Sequence, residues 1–177
     1  ASSIRTFIEK VGVSKAYSVV DYGLLESCVR DDLNASAPRA MAVLDPLKVI
    51  IDNYPEGQTE IVEVDVHPEK PELGKAKITF GKEIYVEKSD FMIEPVKKYF
   101  RLFPGNEVRF RGAYFLTCTS YDLDENGEVI AIHCTYDPAS KGGNSPDGRK
   151  VKGTIHWAGP NAFKAEVRLY DRLFTVE

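Results

Sequence analysis

A mainly β chain with a short α-helical subdomain at its N-terminus is the fold class the sequence predicts, the β part forming a small antiparallel β-barrel. Three observations carry this. Apolar residues recur at helical spacing only in the first part of the chain. From about residue 39 they alternate instead. The alternating runs are short and are separated by Gly- and Pro-rich turns. The break lies at Asn34–Pro38, so residues 1–38 are expected to form the helical subdomain and 39–177 the barrel.

Taken in order, Ile4, Phe7, Ile8 and Val11 share one helical face, with Gly12 as a C-terminal stop. Ser18 followed by Asp21 has the spacing of a capping box, ahead of a stripe of Leu25, Cys28, Val29 and Leu33. Strands are predicted at about 40–44, 48–51, 60–66, 76–80 and 83–87. More are predicted at 108–119, 128–136, 151–158 and 165–170. In EIVEVDV, Val62, Val64 and Val66 take one face and Glu63 and Asp65 the other, as in a sheet wet on one side. SDFMIEPVKKYF reads as a short helix interrupting the strands. PASKGGNSPDG (138–148) reads as a long exposed loop within the barrel.

The composition narrows the function classes. With 177 residues, 43% hydrophobic and 28% charged, the chain can bury a core. No apolar stretch approaches the ~20 residues of a membrane helix, and the N-terminus lacks a secretory pattern. Cys28, Cys118 and Cys134 are widely spaced and form no C-x-x-C pair, which suggests neither a disulfide framework nor a zinc site. These readings place the protein in a reducing compartment, the cytoplasm, with no membrane partner. The net charge of -4 speaks against a nucleic-acid partner only if the charges are evenly mixed.

DLDENG offers Asp122, Asp124, Asn126 and Gly127 at the spacing that opens a calcium loop. Position twelve, which needs a bidentate glutamate, is His133, so a hairpin turn at Asn126–Gly127 is expected and no metal site. His67, His133 and His156 accompany no nucleophile motif and are read as structural; the chain contains no catalytic constellation. The basic run is different. Lys97, Lys98, Arg101, Arg109 and Arg111 are opposed only by Glu107, with Tyr99 and Phe100 among them. In NEVRFRGAYF, period-two geometry turns Arg109 and Arg111 to one face and Val108 and Phe110 to the other. Such a face is either a solvated strand surface or one that meets phosphates and bases. GRKVKG (148–153), with Arg149, Lys150, Lys152 and the nearby Trp157, either extends that surface or is a basic strand edge that resists aggregation.

LESCVRDDLNASAPRAMAVLDPLKV (25–49), NEVRFRGAYF, CTYDP (134–138), DGRKVKGTIHW (147–157) and AEVRLYDRLF (165–174) resemble the C-terminal half of the glutaminyl-tRNA synthetases, a family of class I aminoacyl-tRNA synthetases. The likeness runs over nearly the whole chain. The resemblance implies a ribosomal L25-like anticodon-binding barrel and a helical subdomain that leads from a catalytic core not contained in this chain. In the family this barrel also takes a strand from farther along the chain, so one of its edges is expected to be unfilled here. The parent reaction it implies joins glutamine to tRNA(Gln) at the expense of ATP, with Mg, in a monomeric enzyme; this chain would bind RNA and contribute no chemistry, with no DNA partner. The alternatives are the same region of a glutamyl-tRNA synthetase, against which DGRKVKGTIHW weighs, and a stand-alone RNA- or protein-binding β-barrel.

Carried over by position, the resemblance assigns anticodon contacts to Asn34, Arg39, Lys98, Arg101, Arg109 and Arg111, and a tRNA-backbone contact to Lys15. Two positions depart from the pattern. Phe100 stands where a basic residue is expected, and Glu69 puts a negative charge where a neutral residue is expected.

Overall fold

The computed structural model describes residues 1–171. The chain divides into two compact units. One comprises Ala1–Arg39 with Val66–Gly74, and the other Ala40–Asp65 with Lys75 onward. The first unit thus joins residues 66–74 to the two N-terminal helices.

In the first unit, α1 (Ser2–Val11) ends where the Gly12 N–H bonds the Ile8 carbonyl at 2.9 Å. α2 (Tyr22–Ser36) is capped by Asp21, whose carboxylate accepts the Gly23 N–H at 2.7 Å; Ser18 lies outside the helix and is not its cap. A carboxylate oxygen one residue before the first turn satisfies an otherwise orphaned donor, and the earlier Ser-x-x-Asp spacing is not used. The helix stops at Ala37, which is extended at ψ 136°, as a residue before proline must be. Of the α2 stripe only Cys28 is buried, and Asp32 ties the helices together by accepting the Ser3 hydroxyl at 2.7 Å.

Among its described residues the second unit carries eight strands: β1 (Pro46–Ile51), β2 (Thr59–Asp65), β3 (Lys75–Gly81), β4 (Glu83–Glu87), β5 (Glu107–Phe110), β6 (Phe115–Leu123), β7 (Val129–Asp137) and β8 (Thr154–Ile155). Six form one sheet in the order β4-β1-β7-β6-β5-β8, and β2 and β3 form a separate antiparallel hairpin. The ends of the six-stranded sheet meet at an antiparallel bridge: the Tyr85 N–H bonds the Ala158 carbonyl at 2.9 Å, and the Ala158 N–H returns a bond of 2.8 Å. The barrel-like sheet is therefore brought back on itself within the described residues, where an unfilled edge was expected. It is also mixed, because β1 runs parallel to β7 and β8 parallel to β5. Period-two burial fills its interior with Leu47, Val49, Ile51, Ile84, Val86, Val108, Phe110, Leu116, Ile132 and Ile155.

Five expected elements differ, one being the run 151–158, which forms a strand only at Thr154–Ile155. Residues 40–44 form no strand, since the Leu44 and Asp45 N–H groups are taken by the Glu87 carboxylate at 2.7 and 3.0 Å. The run 108–119 is two strands split by a tight turn at Arg111–Gly112. SDFMIEPVKKYF forms a 3-10 turn (Lys88–Asp90) and then irregular chain, because Pro95 interrupts it and its N–H groups find partners outside any helix. Residues 165–170 alternate as a strand would, yet pair with none among the described residues, and Val167, Leu169 and Tyr170 are exposed. AEVRLYDRLF extends to residues 172–174, outside the described residues.

DLDENG is a hairpin turn between β6 and β7. One Asp124 carboxylate oxygen accepts the N–H groups of Asn126 and Glu128 at 2.9 and 2.8 Å, so it serves as a turn acceptor. Cys118 and Cys134 lie directly opposite each other on β6 and β7 as free, buried thiols.

His133 on β7 is held between two carboxylates, with Nδ1 2.9 Å from Asp52 Oδ1 and Nε2 3.1 Å from Asp122 Oδ2. Carboxylates only accept, so both ring nitrogens donate and the imidazolium is favoured. The bonds to Asp52 and then Asp122 raise its pKa above 6.5. A raised folded-state pKa adds stability that is complete below the unfolded value and is lost as pH rises through the folded one. Urea midpoints of the wild type are therefore expected to fall between pH 6 and pH 9 by more than those of His133→Gln. Parallel profiles for the two proteins would show that the clasp is energetically silent.

Candidate nucleic-acid interface

NEVRFRGAYF builds the centre of the site. Arg109 and Arg111 are half-buried while Val108 and Phe110 between them are fully buried, so the expected alternation holds. Their N–H groups bond the carbonyls of Gly153 and Ile155 at 2.8 and 3.0 Å, which aligns both arginines along the β8 segment. Arg111 itself lies just past β5, in the turn closed by the Ala113 N–H on the Phe110 carbonyl at 2.9 Å. That turn requires glycine at 112. Its φ is 72°, and a Cβ there would come within 2.8 Å of Val64 Cγ2. The Trp157 indole N–H, fully buried, donates to the Arg111 carbonyl at 3.1 Å and fixes the turn from inside.

The Arg109 guanidinium lies over the Phe115 ring at 5.4 Å, and its methylenes pack against Gly143. Its Nε is buried without a hydrogen-bond partner. The loop 138–148, expected to be freely exposed, is in part fastened here. Gly142 and Gly143 donate to the Ala113 carbonyl at 2.8 and 3.1 Å, and the buried Ser140 hydroxyl accepts the Phe115 N–H at 2.8 Å. The reason is that the turn at 111–113 leaves its Ala113 carbonyl outside the β ladder, and these N–H groups satisfy it.

The other cations divide by whether an acid already neutralises them. Arg149 stacks on Phe115 at 5.2 Å and is consumed by carboxylates: Glu107 bidentately at 2.9 Å, Asp137 at 2.5 Å and Asp147 at 2.7 Å. Bonds from the Ser145 hydroxyl and from Arg149 hold the Asp147 carboxyl down at about 2. Arg149 is thus a structural clamp. Arg101 is exposed but paired with Asp90, whose side chain is 3% accessible. Burial raises the Asp90 carboxyl pKa even though Arg101 opposes the shift, and its Oδ2 has no partner. Lys97, Lys98, Lys150, Lys152, Arg109 and Arg111 have no ion pair among the described residues. Lys98 adopts φ 69°, the one non-glycine residue with positive φ among the described ones, in the turn that the Tyr99 N–H closes on the Val96 carbonyl at 3.0 Å.

Asn34, Arg39 and Lys15 belong to the helical unit. The Asn34 carbonyl receives the Arg39 guanidinium at 3.2 Å and His67 Nε2 at 3.0 Å. The Glu69 N–H donates to His67 Nδ1 at 3.1 Å, so Nε2 carries the proton and His67 is a buried brace for the end of α2. The Glu69 side chain is exposed. Lys15 is exposed in the link between α1 and α2. The pattern of residue types marked the basic run but could not show Asp90 as the partner of Arg101, nor separate the neutralised Arg149 from the unpaired Lys152. Among the described residues no group of three or more His, Cys, Asp or Glu side chains is arranged to hold a metal ion. No described helix is long and apolar enough to cross a membrane.

A family model described as tRNA synthetases class I (E and Q), anti-codon binding domain, matches residues 37–137. The glutamine–tRNA ligase of Bradyrhizobium diazoefficiens is 58% identical over 174 residues, covering 98% of this chain and 31% of that protein. Those of Clostridium kluyveri and Aliivibrio salmonicida are 56% and 54% identical over 172 and 177 residues, covering 97% and 99% of this chain and 31% and 32% of theirs. The chain thus spans about a third of the length of these relatives. A match of this extent, on a mixed barrel-like sheet where Arg109 and Arg111 stand without acidic partners among the described residues, shows that the chain belongs to the anticodon-binding domain family of the class I tRNA synthetases for E and Q.

Proposed function

We propose that this chain is the anticodon-recognition region of a glutamine–tRNA ligase and that its ligand is the anticodon loop of tRNA(Gln). The observation that carries the reading is the pair Arg109 and Arg111: two half-buried arginines on one face, the Arg109 guanidinium over the Phe115 ring and the Arg111 main-chain carbonyl held by Trp157, with no carboxylate among the described residues to neutralise either. A loop of unstacked bases offers edges and phosphates that such groups bond bidentately. Lys98 and the exposed Arg101, although Arg101 is paired with Asp90, are further anticodon contacts in this reading, with Asn34, Arg39 and Lys15 contributing from the helical unit. Amino-acid activation with ATP and Mg belongs to the remainder of a full-length ligase. The acids nearest the site, Asp90, Glu107, Asp137 and Asp147, are taken up by Arg101 and Arg149, so the net charge of -4 does not by itself oppose the RNA.

Arg109→Ala and Arg111→Ala are each expected to weaken tRNA(Gln) binding by roughly 5- to 150-fold, the equivalent of about 1–3 kcal/mol per bidentate contact. In a full-length ligase the same variants should impair charging of tRNA while ATP and glutamine binding stay unchanged. Filter binding of the chain and steady-state kinetics of the ligase read the two effects. Unchanged affinity and kinetics in both variants would overturn the assignment.

A further inference from the structure

We propose that Phe100 and Lys152 form a subsite for one nucleotide of single-stranded RNA, the ring stacking on an unpaired base and the ammonium meeting its phosphate. This rests on the RNA-binding reading above and adds a residue, Lys152, to it. Phe100 is 47% exposed, although it follows Tyr99, whose ring is anchored through its hydroxyl to the Ser89 carbonyl at 3.1 Å. The segment that presents it is therefore fastened, and the exposed ring is presented by a held backbone. Lys152 Nζ lies over the ring, 5.2 Å from its centroid.

A main-chain contact brings the two together. The Phe100 carbonyl approaches Gly153 so closely that a Cβ at 153 would lie 1.9 Å from it. The Gly153 carbonyl in turn takes the Arg109 N–H at 2.8 Å, so the pair is tied directly to β5. Lys152 is exposed and without an ion pair, whereas its neighbours Arg101 and Arg149 are held by acids. An accessible aromatic face beside an un-neutralised cation is the combination that holds single-stranded nucleic acid.

The test is binding of the 177-residue chain to tRNA(Gln) carrying 2-aminopurine in the anticodon loop, titrated at several salt concentrations. Phe100→Leu is expected to abolish fluorescence quenching and to weaken binding roughly 5- to 100-fold, leaving the salt slope unchanged. Phe100→Tyr, which keeps the ring, should retain the quench. Lys152→Met is expected to keep the quench and to lower the slope of log affinity against log salt by about 0.7–1. Far-UV circular dichroism confirms that each variant is folded. If Arg109→Ala weakens binding while Phe100→Leu and Lys152→Met match the wild type, the subsite is overturned and the RNA reading stands. If the wild type itself binds tRNA(Gln) no better than an RNA duplex of equal length, the reading fails and the subsite with it.

Discussion

Trp157→Ala is expected to destabilise the barrel unit by about 3–5 kcal/mol, the range for removing a fully buried tryptophan. Trp157 is the largest side chain in the core that is wholly inaccessible, and it meets Phe80 edge-on at 5.2 Å. Phe80 in turn touches Tyr54 and Tyr114, so the cavity would open beneath an aromatic cluster that cannot collapse without moving β3. The variant also strips the Arg111 carbonyl of its indole donor. Trp157→Phe separates the two contributions. It keeps much of the packing and loses the hydrogen bond, for an expected cost nearer 1–2 kcal/mol. With net stabilities of ~5–15 kcal/mol, the alanine variant should be largely unfolded in mild urea. Because Trp157 is the chain's single tryptophan, its fluorescence follows unfolding of the wild type and circular dichroism that of the variants. A loss below about 1 kcal/mol for alanine would mean that this indole does not organise the core.

The same residue shows what the sequence could and could not convey. Alternation of Val62 with Val64, and of Val108 with Phe110, is a local property, and it identified strands and their buried faces correctly. The turn at Arg111–Gly112 is closed by a single local bond, the Ala113 N–H on the Phe110 carbonyl, inside a run that stays rich in strand-forming residues on both sides, so the run reads as one strand. Residues 165–170 failed in the opposite direction, since a strand pattern needs a partner edge as well as alternation. For the site, the pairing of Arg109 with Arg111 was legible from spacing alone. That Arg149 is neutralised and Lys152 is not depends on where Glu107, Asp137 and Asp147 converge in space. Charge in a sequence counts cations; only the fold says which of them are already answered by acids.

Gly153→Ala is the second large effect, expected to cost about 3 kcal/mol, at the upper end of what overpacking exacts. The added methyl would meet backbone, 1.9 Å from the Phe100 oxygen and 3.1 Å from its carbon, with Val108 Cγ1 at 3.2 Å behind it. No rotamer change relieves a clash with a carbonyl. Either the Phe100 segment or β8 must move away, and each movement breaks something measurable. Retreat of β8 gives up the Gly153 carbonyl that receives the Arg109 N–H. Retreat of the Phe100 segment strains the Leu102 N–H bond to the Asp90 carbonyl, at 2.9 Å, and with it the Arg101–Asp90 pair. The variant should therefore lose tRNA affinity by more than Lys152→Met alone, because it displaces Arg109 and Phe100 together. Lys150→Ala, an exposed change nearby, serves as the control and should unfold at the wild-type urea midpoint. If Gly153→Ala unfolds within about 0.5 kcal/mol of the wild type and binds tRNA equally well, the close approach is not what couples these segments, and a different contact must set the spacing between Phe100 and Arg109.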